Sequence, residues 1–180
     1  MLSRDDEIRL LALARRALEA RVRGLPAPAV ETGGGLDLPM GAFVTIHVRG
    51  DLRGCLGRLE THRPIAENVV HLAGVVADSD PRFPPLRPAE LADTAIEISA
   101  LTPEKEVEDL ATIAIGRHGL IAEHGTQRGL LLPQVATEHG WDRDTFLDHT
   151  CVKAGLPPDA WKHGARIFLF EAQVFAETQR

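Results

Sequence analysis

Apolar residues recur at helical spacing near the start of the chain. They are Ile8, Leu11, Ala14, Leu18 and Val22. Steps of three and four residues place all of them on one face of an α-helix. Ser3, followed three residues later by Asp6, forms a capping box that starts the helix, and Gly24 and Pro26 end it. The pattern predicts one amphipathic helix and then a loop rich in glycine and proline over residues 26–41.

Strict alternation of apolar and polar residues follows this loop and predicts a β-hairpin. Residues 43–49 form the first strand, and a Gly-Asp pair supplies the turn. Side chains alternate between the two faces of a strand, so the second strand presents Arg53 and Cys55 on one face and Gly54 on the other. The hairpin thus places the first cysteine of the chain on the same strand face as an arginine.

The rest of the chain alternates between helical and extended patterns. We predict helices over 62–77, 104–110, 133–139 and 144–154, and strands over 94–101, 119–123, 129–132 and 166–175. The last strand is apolar on both faces, which is typical of a central strand. Two hairpins with helices between and around them favour an α+β fold with a mainly antiparallel sheet over a regular βαβ repeat.

Charge and hydropathy restrict the functional classes. The 180 residues include 26 acidic and 20 basic side chains, which gives a net charge of −6. A mildly acidic chain is a poor partner for a phosphate backbone or an anionic membrane, so we expect neither nucleic acid nor membrane as a partner. No apolar run approaches the ~20 residues that span a bilayer, and the first residues do not form a secretory signal. The sequence predicts a cytoplasmic protein.

Cys55 is the first candidate for chemistry. Arg53 lies about 7 Å away along the strand, and a nearby guanidinium favours the nucleophilic thiolate over the thiol. Gly54 has no side chain, so a ligand or another backbone can approach closely. The alternative is that Cys55 is a small buried packing residue, as free cysteines often are. Cys151 is predicted to be a core residue.

The loop that follows the predicted helix over 62–77 offers charged groups for a ligand. Asp78 and Asp80 form a D-x-D pair, which can bind a divalent cation, but aspartates also cap turns, and we expect no metal and no other cofactor. Arg82 suits a carboxylate or phosphate on a substrate. The alternative for Arg82 is a structural ion pair with Asp80. Asp80 and Arg82 are therefore candidates for substrate binding.

The strand over 94–101 carries a candidate proton carrier. Glu97 and Ser99 lie on its polar face, opposite the apolar residues. If that face lines a cleft, Glu97 could be a general base. If the face is turned to water, Glu97 is an ordinary solvated side chain.

Several segments, in a fixed order, carry a resemblance to a known family. They are GAFVTI from Gly41, LRGCLG from Leu52, DPRFPPL from Asp80, IEIS from Ile96 with LTP from Leu101, GRHGLI from Gly116, RGLLLPQVA from Arg128 and CVKAGLP from Cys151. The ordered set resembles the AMMECR family, whose prokaryotic members are called AmmeMemoRadiSam system protein A. LRGCLG and DPRFPP are the most specific of these motifs.

The resemblance implies a fold and partners. The fold is α+β, with a larger lobe, a smaller lobe and a cleft between them. We expect one domain over residues 1–180, with an N-terminal helix and loop over 1–40 ahead of the matching core over 41–180. The implied partners are a Memo-type protein and a radical-SAM protein, and no reaction is established for the family.

The resemblance also adds two site residues. His118 lies in a matching segment and is the best candidate for a base that serves Cys55, with His47 as a second. Lys153 lies in another matching segment and is a candidate ligand contact. From the residues alone, His118 is equally well a turn residue whose ring bonds the backbone, and Lys153 a charge that favours a helix C-terminus.

Two functions remain open at this stage. In the first, the protein is an enzyme that acts on a small polar or anionic substrate. Cys55 is then the nucleophile or a redox centre, Arg53 and Arg82 bind an anion, and His118 or Glu97 moves protons. In the second, the protein is a non-catalytic accessory or ligand-binding module for the Memo-type and radical-SAM proteins.

Overall fold

The computed structural model describes residues 1–59 and 62–177. The chain divides into two compact units. The larger unit comprises Met1–Leu101 and Gln173–Arg180, and the smaller unit comprises Thr102–Ala172. Every strand pair whose register is defined is antiparallel, and helices pack against the strands. These features confirm the predicted α+β fold with a mainly antiparallel sheet.

The larger unit begins with helix α1 (Arg4–Val22) and the predicted capping box. The backbone N–H of Ser3 donates to the carboxylate of Asp6 (2.9 Å), and the backbone N–H of Asp6 donates to the Ser3 hydroxyl (3.2 Å). The same carboxylate accepts a bond from the backbone N–H of Gly35 (2.9 Å). A β-carbon on Gly35 would lie 2.6 Å from this carboxylate, so glycine lets the loop reach the start of the helix.

The predicted hairpin consists of β1 (Gly41–Val48) and β2 (Asp51–Arg58). Its turn residues, Arg49 and Gly50, both have positive φ, 53° and 89°. Two successive residues with positive φ match a type I′ turn, which suits the twist of the strands. The turn therefore starts one residue earlier than the sequence predicts. On its other edge, β1 pairs with β3 (Thr94–Leu101).

One face of these strands is buried against two helices. Helix α2 (Ile65–Val75) packs on α1 and on β1. It is shorter than predicted because Pro64 caps its start and Val76 its end. The shared core includes Leu10, Leu13, Leu18, Val44, Ile46, Val69, Leu72, Ile96 and Ile98. The opposite face of the strands carries the polar side chains.

The smaller unit is built on a second antiparallel arrangement. Its strands are β4 (Lys105–Glu106), β5 (His118–His124), β6 (Gln127–Leu131) and the first part of β7 (Arg166–Ala176). β5 lies between β6 and β7, and β4 also pairs with β7. Because β7 is paired on both sides, its predicted central position is confirmed.

The helix predicted over residues 104–110 is wrong. Lys105 and Glu106 form β4 instead, with Leu169 and Phe168 of β7 as their partners. The Glu106 carboxylate also accepts two bonds from the Arg166 guanidinium, at 2.7 and 2.8 Å. Strand pairing and this ion pair override a weak local preference for helix.

Helices α3 (Pro133–His139) and α4 (Arg143–Lys153) confirm the predicted helices of the smaller unit. The second core of the molecule includes Leu120, Phe146, Leu147, Cys151 and Ile167. Cys151 is fully buried, as predicted. In the parts of the chain that the structure describes, no helix is both long and apolar enough to cross a membrane.

Candidate functional site

The candidate site lies on the polar face of the strands in the larger unit. Thr45 on β1 has Cys55 on β2 as its partner on one side and Glu97 on β3 as its partner on the other. Directly paired residues present their side chains to the same face. All three residues are half-buried. Strand register alone therefore brings a hydroxyl, a thiol and a carboxylate into one row.

The backbone of Cys55 explains why Thr45 lies so close to the thiol. The N–H of Cys55 donates to Asp80 (2.9 Å), and its carbonyl accepts a bond from Arg82 (3.2 Å), so both groups point away from β1. The Thr45–Cys55 pair is therefore of the non-hydrogen-bonded type, in which the side chains are closest. The Thr45 hydroxyl donates to the Cys55 sulfur at 3.2 Å.

Asp80 connects the loop after α2 to the Cys55 strand. It is only 3% exposed, and its carboxylate accepts bonds from the backbone N–H of Cys55 and from the backbone N–H (3.1 Å), Nε (2.9 Å) and Nη2 (2.7 Å) of Arg82. The Arg82 guanidinium holds the pKa of Asp80 far below its ordinary value, and the two backbone N–H bonds add to this effect against the cost of burial. Asp80 is therefore a fixed negative charge that is bonded to the Cys55 backbone and to Arg82.

Arg82 is held in place by the same contacts but remains accessible. Its side chain is 56% exposed, although Nε and Nη2 bond Asp80 and the Cys55 carbonyl. The bond to Asp80 raises the pKa of Arg82, against the effect of burial. Among residues 1–59 and 62–177, no acceptor forms a hydrogen bond with Nη1.

The guanidinium of Arg53 is occupied by structural contacts. Nη1 donates to the Pro84 carbonyl (2.6 Å), Nη2 to the Pro85 carbonyl (3.2 Å), and Nε to Glu90 (3.1 Å). The pKa of Glu90 falls to about 2 because the Arg87 backbone N–H and the Arg53 and Arg87 side chains all donate to it. Arg53 therefore holds the proline segment against β2.

The two glycines of the LRGCLG motif serve close packing. A β-carbon on Gly54 would lie 3.0 Å from the carbonyl oxygen of Val76 at the end of α2. A β-carbon on Gly57 would lie 2.1 Å from the ring of Phe43, its cross-strand partner. Gly54 faces the core, so it admits another backbone and not a ligand from the polar face.

The D-x-D pair does not act as a unit. Asp78 is exposed and accepts a bond from Arg21 of α1 (2.7 Å), whereas Asp80 is buried against β2. Within the described residues, no group of three or more His, Cys, Asp or Glu side chains is arranged to hold a metal ion.

His118 and Lys153 belong to the smaller unit. The Nδ1 atom of His118 accepts a bond from the backbone N–H of Ala114 (3.1 Å). The neutral ring then carries its proton on Nε2, which makes that nitrogen a donor. This contact matches the alternative interpretation of the sequence, in which His118 is a turn residue whose ring bonds the backbone. Lys153 is exposed at the last residue of α4, where the helix dipole favours a positive charge.

The order and spacing of these groups match a family of proteins along almost the entire chain. The AMMECR1 family model matches residues 11–175. The chain belongs to the AMMECR1 family. A protein of Methanothermobacter thermautotrophicus is 45% identical over 189 residues, which cover 98% of this chain and 96% of the relative. The protein MK0488 of Methanopyrus kandleri is 48% identical over 149 residues, covering 77% and 72% of the two chains.

A solved structure shares the same fold. The crystal structure of protein PH0010 from Pyrococcus horikoshii, described as uncharacterised, superposes with a TM-score of 0.87. It is 38% identical in sequence, and the match covers 99% of this chain and 94% of that one. AMMECR1 membership therefore establishes the fold, while the function has to be argued from the site.

Two residues of this AMMECR1-family site were not singled out by the sequence. Thr45 lies in the GAFVTI segment, and its polar face was visible in the alternation, but its register opposite Cys55 was not. A regular two-residue turn at Arg49 and Gly50 would have paired Thr45 with Gly54. A β-bulge between Ile46 and His47 shifts the register by one residue and places Thr45 opposite Cys55. Glu90 gave no signal, because its partner Arg53 is 37 residues away in sequence.

Proposed function

We propose that this AMMECR1-family protein is an enzyme that uses the Cys55 thiolate as a nucleophile on a small anionic substrate. The observation that carries the proposal is the Thr45 hydroxyl bond to the Cys55 sulfur beside the anchored Arg82 guanidinium. The Thr45 hydroxyl and the Arg82 guanidinium are both hydrogen-bond donors, so each can interact favourably with negative charge in the site. Free cysteines, with no disulfide, fit the expected cytoplasmic location.

Arg82 supports an anionic substrate. Its bonds to Asp80 and to the Cys55 carbonyl fix the guanidinium before any ligand arrives. Because Nη1 has no acceptor among the described residues, it can donate to a carboxylate or phosphate oxygen without breaking an existing bond. Arg53 is a weaker candidate for this role, since its donors already bond Glu90 and two carbonyls.

Glu97 is a proton carrier that the larger unit offers next to Thr45. It is half-buried in the same row as Thr45 and Cys55, two strands from the thiol. Strands lie about 4.8 Å apart, so roughly 10 Å separates the Cys55 and Glu97 backbones. A substrate bound over Thr45 would contact both side chains. The roles of His118 and Lys153 remain proposals. The chemistry proposed for the row of Cys55, Thr45 and Glu97 does not require them.

Two alkylating reagents test the proposal without a known substrate. Iodoacetate and iodoacetamide react identically: the thiolate attacks the methylene carbon, a C–S bond forms, and iodide leaves. They differ only in the negative charge of the first reagent. We expect the ratio of iodoacetate to iodoacetamide rates at Cys55 to exceed the ratio for free cysteine by about tenfold, because Arg82 attracts the carboxylate. Mass spectrometry of each modified peptide measures both rates.

Arg82 variants complete this experiment. Arg82→Gln should reduce the ratio to that of free cysteine or below it, because the Asp80 charge then has no partner in Arg82. Arg82→Lys, which keeps the charge, should retain part of the preference. A ratio equal to that of free cysteine in the wild-type protein would refute the anionic substrate. A Cys55 that reacts with neither reagent in the folded protein would refute the enzyme and leave the accessory module for Memo-type and radical-SAM partners as the proposal to pursue.

A further inference from the structure

Cys55 is held at its side chain by Thr45 and at its backbone by Asp80 and Arg82. The strand of Thr45, β1, is paired with β2 on one edge and with β3 on the other, so its backbone is fixed more firmly than that of an edge strand. The Thr45 hydroxyl donates to the Cys55 sulfur, while Asp80 and Arg82 fix the Cys55 backbone from the opposite side.

We propose that Thr45 is a positioning residue that orients the Cys55 sulfur and stabilises its thiolate. The inference rests on the proposed nucleophilic role of Cys55. A hydroxyl has one hydrogen to donate, and donation to a thiolate gives a charge-assisted bond, which is stronger than a bond to a neutral thiol.

The geometry of threonine favours this function over that of a spacer. Branching at the β-carbon restricts χ1, so the hydroxyl has few directions available on a strand. The non-hydrogen-bonded register places the two side chains at their closest cross-strand approach. Valine has the same shape and lacks only the donor, whereas serine keeps the donor and lacks the methyl group.

Other charged groups also act on the thiol and must be separated from Thr45. The loop after α2 contributes Asp80 and Arg82, and β3 contributes Glu97. His47 lies on the same face of β1, two residues from Thr45. None of these groups changes in a Thr45 variant, so their influence is constant across the comparison.

The test is the pH dependence of iodoacetamide labelling at Cys55 in the full chain. Thr45→Val should slow labelling at pH 7 by about tenfold and shift the midpoint of the pH–rate profile upward by about one pH unit, because one charge-assisted hydrogen bond is lost. Thr45→Ser should label at a rate close to that of the wild-type protein. Cys151, in the core of the smaller unit, serves as the internal control for the folding of that unit.

Each result has one interpretation. Slow labelling of Cys55 in Thr45→Val, together with a wild-type labelling rate in Thr45→Ser, supports the positioning role. Labelling of both variants at the wild-type rate would overturn the positioning role, because the hydroxyl would then be unimportant. Equal slowing of both variants would also overturn it, because the methyl group would then matter as much as the hydroxyl. A wild-type Cys55 that is inert would remove the proposed function itself, whereas a reactive Cys55 that is insensitive to Thr45 would remove only the positioning role.

Discussion

At the scale of single residues, Asp80 contributes most to the organisation of the candidate site. Its buried carboxylate accepts one bond from the Cys55 backbone and three from Arg82. The loop sequence predicts an Asp80–Arg82 pair as one of two alternatives, and the structure contains that pair. The bond to Cys55 spans 25 positions, and no local pattern reports such a contact.

Replacement of Asp80 by asparagine should destabilise the protein by about 2 kcal/mol at pH 7, because charge-assisted bonds are lost in a buried setting. The folded-state pKa of Asp80 is depressed, so its contribution is present above the unfolded value of about 3.9 and is lost as the pH falls toward the folded value. Urea unfolding at several pH values should therefore show that the difference in unfolding free energy between the wild-type protein and Asp80→Asn becomes smaller below about pH 4.

Asp78→Asn provides the matched control, since Asp78 pairs with Arg21 at an exposed position two residues away. Its cost should stay below about 1 kcal/mol, as is usual for surface ion pairs. If Asp80→Asn lost the same unfolding free energy at every pH, the effect could not be assigned to the carboxylate charge.

At the scale of elements, periodicity predicts most of the structure, and it fails where tertiary pairing decides. The alternation over residues 94–101 gives β3 with the observed bounds, and the pattern over 133–139 gives α3. The acidic segment over 104–110 has helix-forming residues, but β7 recruits part of it as a strand. Sequence patterns report local preference and not which edge of a sheet is available.

Close packing between elements gives a second prediction. A β-carbon on Gly129 of β6 would lie 2.4 Å from the backbone nitrogen of Ala154 at the end of α4, where neither group can move easily. Gly129→Ala should therefore cost about 1–3 kcal/mol in unfolding free energy. Chemical denaturation monitored by circular dichroism measures this loss.

Gly74→Ala is the matched control for the same chemical change. Nothing lies within 4 Å of a β-carbon on Gly74, which is inside α2. This substitution should stabilise the protein by about 0.5–1 kcal/mol, because glycine is a poor helix former. Equal effects of the two substitutions would mean that the contact with Ala154 does not limit the packing of β6.

At the scale of the whole molecule, the predicted site residues separate into two sets. Cys55, Asp80, Arg82 and Glu97 belong to the larger unit, and His118 and Lys153 belong to the smaller one. The order of the motifs along the chain identified the AMMECR1 family. It did not show which site residues belong to the same unit, because the order of motifs contains no distances. The net charge of −6 still weighs against a nucleic-acid partner, and the protein partners remain proposals.

The most direct test of the account is the reaction of native Cys55 with iodoacetamide at pH 7, with Cys151 measured in the same sample. Cys55 is half-buried beside a hydroxyl donor and a guanidinium, whereas Cys151 is fully buried and burial raises the pKa of its thiol. We predict fast modification of Cys55 and modification of Cys151 only after denaturation. Protection of both cysteines until the protein unfolds would contradict the central claim and make Cys55 a packing residue.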